Sequence, residues 1–512
     1  MKIHHCITSI FILFNILLIS CVKDPMSGTK SKENSAKIAP DGFNFETSRN
    51  VNVSITLLSN IDEPLKGIII DINSTKGETL LRGASNENGV FTGSINIPSY
   101  IDTLLIRPDN TGLNQNVKAL IVNNNITCTI GGVSGSSGNV LMATSGGKAF
   151  SGPNFKTFAQ TAYTYMGTYE SSGRPLSYLD PQKGNVSAAL INYLGESLPE
   201  RQDVRIHHPQ YLSNNATEHL NIVQPSEVWI TFVSEGAGNL NSVGYYTYPT
   251  NNPPNNASKI NEIKYLFPNA SAGGSGGGMQ TGDRVKLGSF QAGISIGFVL
   301  ISSGWNPNLN AVNKNNTHFY SDSPFNPEGS AALQTHTVLL HYAQENQFII
   351  GFEDLPRDNP NCDQDFNDVI LYAISNPATG ISTAGVNTIS VPADTDGDGV
   401  YDVNDKFPSD PTKAYITFFP SQTTKGTLAF EDNWPKKGDY DMNDLVINYR
   451  YSYVSNAANK VVEMTGEFVA VAAWALNKNG FGIQFPFAQN LVSNIVGQKL
   501  TDNYITLNAN GT

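Results

Sequence analysis

The sequence predicts a mainly β, multi-domain protein built of β-sandwiches. Short segments of alternating or continuous apolar character recur along most of the chain, separated by Gly, Asn, Asp and Pro clusters. Charged residues make up only 15% of the 512 residues, and turn-forming residues are plentiful, a balance that suits strands and turns rather than surface helices. With 25 Phe and 21 Tyr, the chain has the apolar payload for several cores. The net charge of −12 excludes a general nucleic-acid binder, which needs a basic face, and suits divalent cations.

The first element is a leader. Residues 7–20, ITSIFILFNILLIS, form an apolar run too short to span a bilayer comfortably and of the size of a signal-peptide core. It ends in LISC, residues 18–21, which resembles a bacterial lipobox. That resemblance implies that residues 1–20 are a lipoprotein signal peptide, that Cys21 is lipidated, and that the chain reaches the membrane through this N-terminal lipid anchor. VKDP, residues 22–25, resembles the surface-export signal of Bacteroidetes lipoproteins. The implied location is the outer membrane, at the cell surface or its periplasmic face. Residues 21–42 are polar and unpatterned and read as a flexible tether.

Residues 43–132 carry regularly spaced short strands, including VNVSITLLS and PLKGIIIDINS, with a turn at SNENG. They predict a small β-sandwich serving as a spacer, and resemble carboxypeptidase-regulatory-like, prealbumin-like or Ig-like modules. Residues 133–154 are a Gly/Ser-rich linker. Residues 155–376 form a β-rich domain with one helix, in VSAALINYLGESL, where Ala189, Leu190, Tyr193 and Leu194 share a face. Its Gly-rich stretch NASAGGSGGGMQTGD reads as a mobile loop. Residues 377–414 are a connector with an acidic motif, and residues 415–512 return to strands. Cys128 and Cys362 remain once Cys6 leaves with the leader and Cys21 is lipidated. They can pair in an oxidising envelope, although they fall in different domains.

The motif with the sharpest spacing is DTDGDGVYDVND, residues 394–405. Asp394, Asp396 and Asp398 take positions 1, 3 and 5 of a calcium loop, with Gly399 at the sharp turn. Val400 offers its carbonyl at position 7, Asp402 takes position 9, and Asp405 takes position 12, where a bidentate Glu is usual. No helix is expected on either side. The segment resembles a thrombospondin type-3 repeat.

A second acidic pattern is written twice. Glu353, Asp354, Asp363, Asp365, Asn367 and Asp368 are echoed by Glu431, Asp432, Asp439, Asp441, Asn443 and Asp444, each set after a Phe and before an apolar run. Flanking strands place each set in a connecting loop. Together with the connector, windows 352–372, 394–410 and 430–449 hold 17 of the 44 acidic residues, so the acid is localised rather than spread for solubility. Clustered carboxylates need protons or a cation, and oxygen ligands without His or Cys point to Ca²⁺. Two other readings use the same residues: Asx turns between strands, and a glycosidase pair, which needs carboxyls facing across a sugar. The acids here lie within one short loop, which favours calcium and a non-enzymatic role. His336, His341 and His207 show no metal-ligand spacing.

Roughly from Phe155 onward the text is similar to LruC-domain lipoproteins of Bacteroidetes and spirochaetes. The carrying stretches are YMGTYESSGRPLSYL, VWITFVSEGAGNLNSVGYYTYP, FEDLP with DFNDVILY, and FEDNWPKKGDYDMNDLVINY. The resemblance implies a surface lipoprotein with two β-rich domains around a calcium-type linker. The family's last domain usually runs further than Thr512, which implies a short or truncated version here. The expected work is calcium-stabilised binding, adhesion or scaffolding towards a host or bacterial surface ligand. The alternative is glycan binding or processing, with Trp305, Tyr245, Tyr246 and Tyr248 as exposed stacking platforms.

Overall fold

A computed structural model describes residues 47–141 except 116, 161–433, 438–512 except 440, 476, 486, 499 and 501–504, and the backbone of residues 2–4. The protein is mainly β, as predicted. The backbone of Lys2–His4 runs antiparallel to Val461–Ala472. The rest of the leader, with Cys21, the tether and most of the Gly/Ser linker lie outside the described residues. No helix among the described residues is long and apolar enough to cross a membrane.

The N-terminal module is a sandwich of two four-stranded sheets. One runs Val90–Pro98, Ser48–Leu57, Asn125–Ile130, Ser137–Gly138, and the other Thr79–Ala84, Ile69–Asn73, Thr103–Pro108, Val117–Leu120. Alternation in Ser48–Leu57 sends Val51, Val53, Ile55 and Leu57 inward. Cys128 points into this core, while Cys362 sits in the acidic loop and accepts from Gln364, so both thiols are free.

The middle domain pairs two six-stranded sheets. The first runs Arg284–Phe290, Ser226–Glu235, Val369–Asn376, Gln347–Phe352, Thr337–Tyr342, Asn387–Thr388. Gln347–Phe352 is buried along its whole length because both faces of this sheet are covered. One face meets the second sheet, through Phe232, Phe348, Leu371, Phe267 and Phe298. The other meets helix Ala188–Ser197 and the N-terminal module in one continuous core.

The N-terminal module is therefore packed against the middle domain, where the sequence suggested a spacer. The helix explains the difference. Leu190, Ile191 and Leu194 are buried, Ala189 is exposed, and the contact surface wraps wider than the four-residue stripe read from the sequence. Ser187 caps its first turn through Leu190 N–H. Around it, Asn60 bridges Gly184 O and Val186 N–H, and Thr111 Oγ1 donates to Leu198 O. The Gly-rich stretch is also held: Asn114 donates to Gly273 O, and a Cβ on Gly277 would lie 2.0 Å from Ser271 O.

The C-terminal domain is built on Tyr415–Phe419, Gly426–Phe430, Leu445–Ser455 and Val461–Ala472, all antiparallel about the third. Its contact with the N-terminal module runs through Ile69, Ala84, Val400, Ala414 and Tyr415.

Candidate metal centres

The first repeated phrase is a hairpin loop. Phe352 pairs with Val369, closing Gln347–Phe352 against Val369–Asn376, and residues 353–368 form the connection. Phe366, with φ 59°, is the pivot: its ring enters the core beneath the Arg357 guanidinium. This left-handed turn keeps Asp365 and Asp368 on the acidic side of the loop. Asp354 N–H donates to Asp368 Oδ2 at 2.7 Å, while Arg201 N–H and Asn367 N–H both donate to Asp365.

Two carboxylate groups result. Glu353, Asp354 and Asp368 bring ligand oxygens within 4.8 Å of one another, and so do Glu353, Asp363 and Asp365. Glu353, Asp354 and Asp365 are buried and Asp363 is exposed. Among the described residues no Lys or Arg side chain forms an ion pair with any of the five. Burial, then neighbouring carboxylates, pushes Glu353 up to about 7 and Asp368 well above the carboxylate range. Burial raises Asp354 and Asp363 too, and burial followed by Asp363 raises Asp365 strongly. Glu353 Oε2 is sealed from solvent beside the Cys362 thiol and Asp368, and no N–H donor reaches it. An orphaned buried carboxylate oxygen within an uncompensated group fits a cation. Asn367 takes a different role, as its Nδ2 donates to Leu198 O and ties the loop to the helix end.

The described residues of the second phrase close in the same way. Phe430 pairs with Leu445, and Met442 repeats the left-handed pivot with φ 57°. Asp432 N–H donates to Asp444 Oδ2 at 2.8 Å. Glu431, Asp439 and Asp441 bring oxygens within 4.8 Å. Here Asp439 and Asp441 are exposed, and the Asn443 amide donates to Asp441.

Four residues missed in the sequence complete both sites. Asn239 and Asn241 donate to Asp354 Oδ2 at 3.1 and 2.6 Å. Asn477 and Asn479 donate to Asp432 Oδ2 at 3.0 and 3.2 Å. Each Asn-x-Asn follows a strand that flanks the hairpin, Ser226–Glu235 in one domain and Val461–Ala472 in the other. The signal was available as NLN and NKN, each a few residues past an apolar strand.

The connector loop only partly follows its template. Asp394, Asp396 and Asp398 converge within 4.8 Å. Asp394 accepts from Gly397 and Gly399 N–H, both glycines having left-handed φ. Asp396 Oδ2, Asp398 Oδ2 and Asp405 Oδ2 are buried without a hydrogen-bond partner, and burial lifts Asp405 to about 6. Asp402 departs from the expectation: both its oxygens are occupied by Thr395 N–H and Oγ1, at 2.8 and 2.6 Å, closing the loop across its mouth. No helix flanks the loop, and the Val400 side chain is buried between domains.

The aromatic platforms are corrected. Trp305, Tyr245, Tyr246 and Tyr248 are all buried and cannot stack on a sugar. Tyr246 and Tyr248 hydroxyls donate instead to Asp322. They read as exposed because Tyr tolerates either setting, and the half-buried acceptor is remote in sequence.

Residues 290–376 match the model of a domain of unknown function, DUF4114, and residues 49–130 match that of another, DUF8469. The first match contains the whole first acidic loop, and the second covers most of the N-terminal sandwich. No curated protein and no solved structure matches the chain.

Proposed function

We propose that this chain is a calcium-stabilised lipoprotein of the cell envelope, lipidated at Cys21, whose β-domains bind a surface ligand or act as a scaffold without catalysing a reaction. The observation carrying this reading is the duplicated site: a hairpin loop with five matching acids, a left-handed apolar pivot and an Asn-x-Asn clamp, found in both domains. Residues that merely form turns satisfy their own loop. These turn several carboxylates toward one another and lean on amides from the loop that follows a third strand. Oxygen ligands of this number suit Ca²⁺. In the connector, Asp394, Asp396, Asp398 and Asp405 hold the ion, and Asp402 holds the loop shut around it. The similarity to LruC-domain lipoproteins supports the envelope location.

The test is metal content together with thermal unfolding. Calcium at a hundred times its Kd adds about 2.7 kcal/mol per site, so melting should rise with calcium and fall with EDTA. A chain that binds no calcium and melts identically in both overturns the reading. Replacing Cys21 by Ser should release the protein from membranes.

A further inference from the structure

The acidic loop of the middle domain presents two carboxylate groups that share one residue. Glu353 with Asp354 and Asp368 forms one, and Glu353 with Asp363 and Asp365 forms the other. We propose that this loop holds two divalent cations bridged by Glu353, whereas the C-terminal loop holds one. The proposal rests on the calcium reading above and assigns the middle domain a second cation site.

Three observations carry it. Glu353 is 1% exposed, its Oε2 lies buried without a hydrogen-bond partner, and it is the one acid common to both groups. The surrounding bonds sort the other four acids into two sides. Asp354 donates its N–H to Asp368 and accepts from Asn239 and Asn241. Asp365 is tied instead to Arg201 N–H, beside the exposed Asp363. Charge then sets the count. The two groups comprise five carboxylates because they share Glu353, and no Lys or Arg side chain among the described residues pairs with them. One dication leaves three negative charges on these five carboxylates and two leave one, with Arg357 and Arg201 acting on Glu353 and Asp363 without ion-pair contact. Carboxylate-bridged cations sit about 3.5–4 Å apart in two-metal sites, a span that one Glu side chain can bridge. The outer cation, at Asp363, borders solvent and completes its shell with water. In the C-terminal loop only the outer equivalent, Glu431 with Asp439 and Asp441, converges among the described residues.

Equilibrium dialysis of the full chain against radiolabelled calcium tests this by counting ions. D354N/D368N should lose one ion relative to the unmutated chain, D363N/D365N should lose one, and E353Q should lose two. Equal losses of one in all three variants mean a single shared ion and overturn the proposal. An unmutated chain that binds no calcium overturns the calcium reading itself, a separate outcome. Crystals of the unmutated chain soaked in terbium give a readout free of folding defects. Two anomalous peaks flanking Glu353 are expected, and one peak there overturns the inference.

Discussion

Asp354 and Asp432 occupy the same place in two domains. Each receives two side-chain amides on Oδ2 and each donates its own N–H to an Asp at the far end of its loop. The likeness extends to a pivot of different chemistry, Phe366 in one loop and Met442 in the other, with matching left-handed φ. What differs is burial: the middle loop is roofed by the N-terminal module and helix, and the C-terminal loop lies open.

That difference predicts unequal effects for the clamp. Asn241→Ala removes a 2.6 Å bond to a buried carboxylate. Groups that orient ligands typically cost about 10–100-fold in metal affinity when removed, and this is the expected loss at the middle site. Asn479→Ala should cost less, because its 3.2 Å bond competes with water. Calorimetric titration with calcium measures both. Wild-type affinity in N241A would show that the amide plays no part in shaping the site.

The connector loop and the domain junction should respond together. Asn459 bonds both backbone groups of Ala84, donating to its carbonyl at 2.6 Å and accepting from its N–H at 2.9 Å. Val400, from within the acidic loop, fills the same junction against Ile69, Ala84 and Tyr415. Asn459 also has φ 57°, so Asn459→Gly keeps the turn and deletes only the amide. Two lost bonds at about 0.5–1.5 kcal/mol each should speed hydrogen exchange at the Ala84 N–H. EDTA should do the same in the unmutated chain, because an unfilled loop releases Val400. Exchange insensitive to both treatments sinks the coupling.

Fold class was legible because it depends on local period: Ser48–Leu57 alternates, and the stretch 348–352 is a continuous apolar run, each stating how many of its faces are covered. The loop acids were legible because the phrase repeats. The asparagine clamps were not, since they lie more than a hundred residues before their carboxylate in one domain and dozens after it in the other. Nor was the role of Asp402, because a calcium template gives positions and not competing donors such as Thr395. The tyrosines misled for a related reason. A buried Tyr needs a polar partner, and Asp322 is brought to Tyr246 and Tyr248 only by tertiary structure.

Glu218 predicts a pH dependence away from the metal sites. It accepts from Ser323 and Thr335, and burial raises it to about 7 from 4.5. The folded protein therefore binds a proton that the unfolded chain releases between those values. Stability from this group is complete below about 4.5 and is lost as pH rises through about 7. Glu218→Gln, which cannot ionise, should leave stability little changed at low pH. Above about 7 it should raise stability by on the order of 1–3 kcal/mol. Urea unfolding in EDTA across this range measures the difference. A constant gap between variant and wild type would refute the assignment.

Leu194 tests whether the N-terminal module and middle domain form one cooperative unit. Its side chain is fully buried in the core shared by the two, and its Cδ1 lies 3.4 Å from where a Cβ on Gly112 would sit. Leu194→Ala leaves a cavity there and should cost about 2–5 kcal/mol. If the two sandwiches melt together, the variant lowers one shared transition and both regions lose protection from hydrogen exchange at once. If they are separate domains joined by a spacer, only the middle-domain transition falls while amides of Ser48–Leu57 stay protected. The continuous packing from Val51 through Leu194 to Ile349 predicts the shared transition.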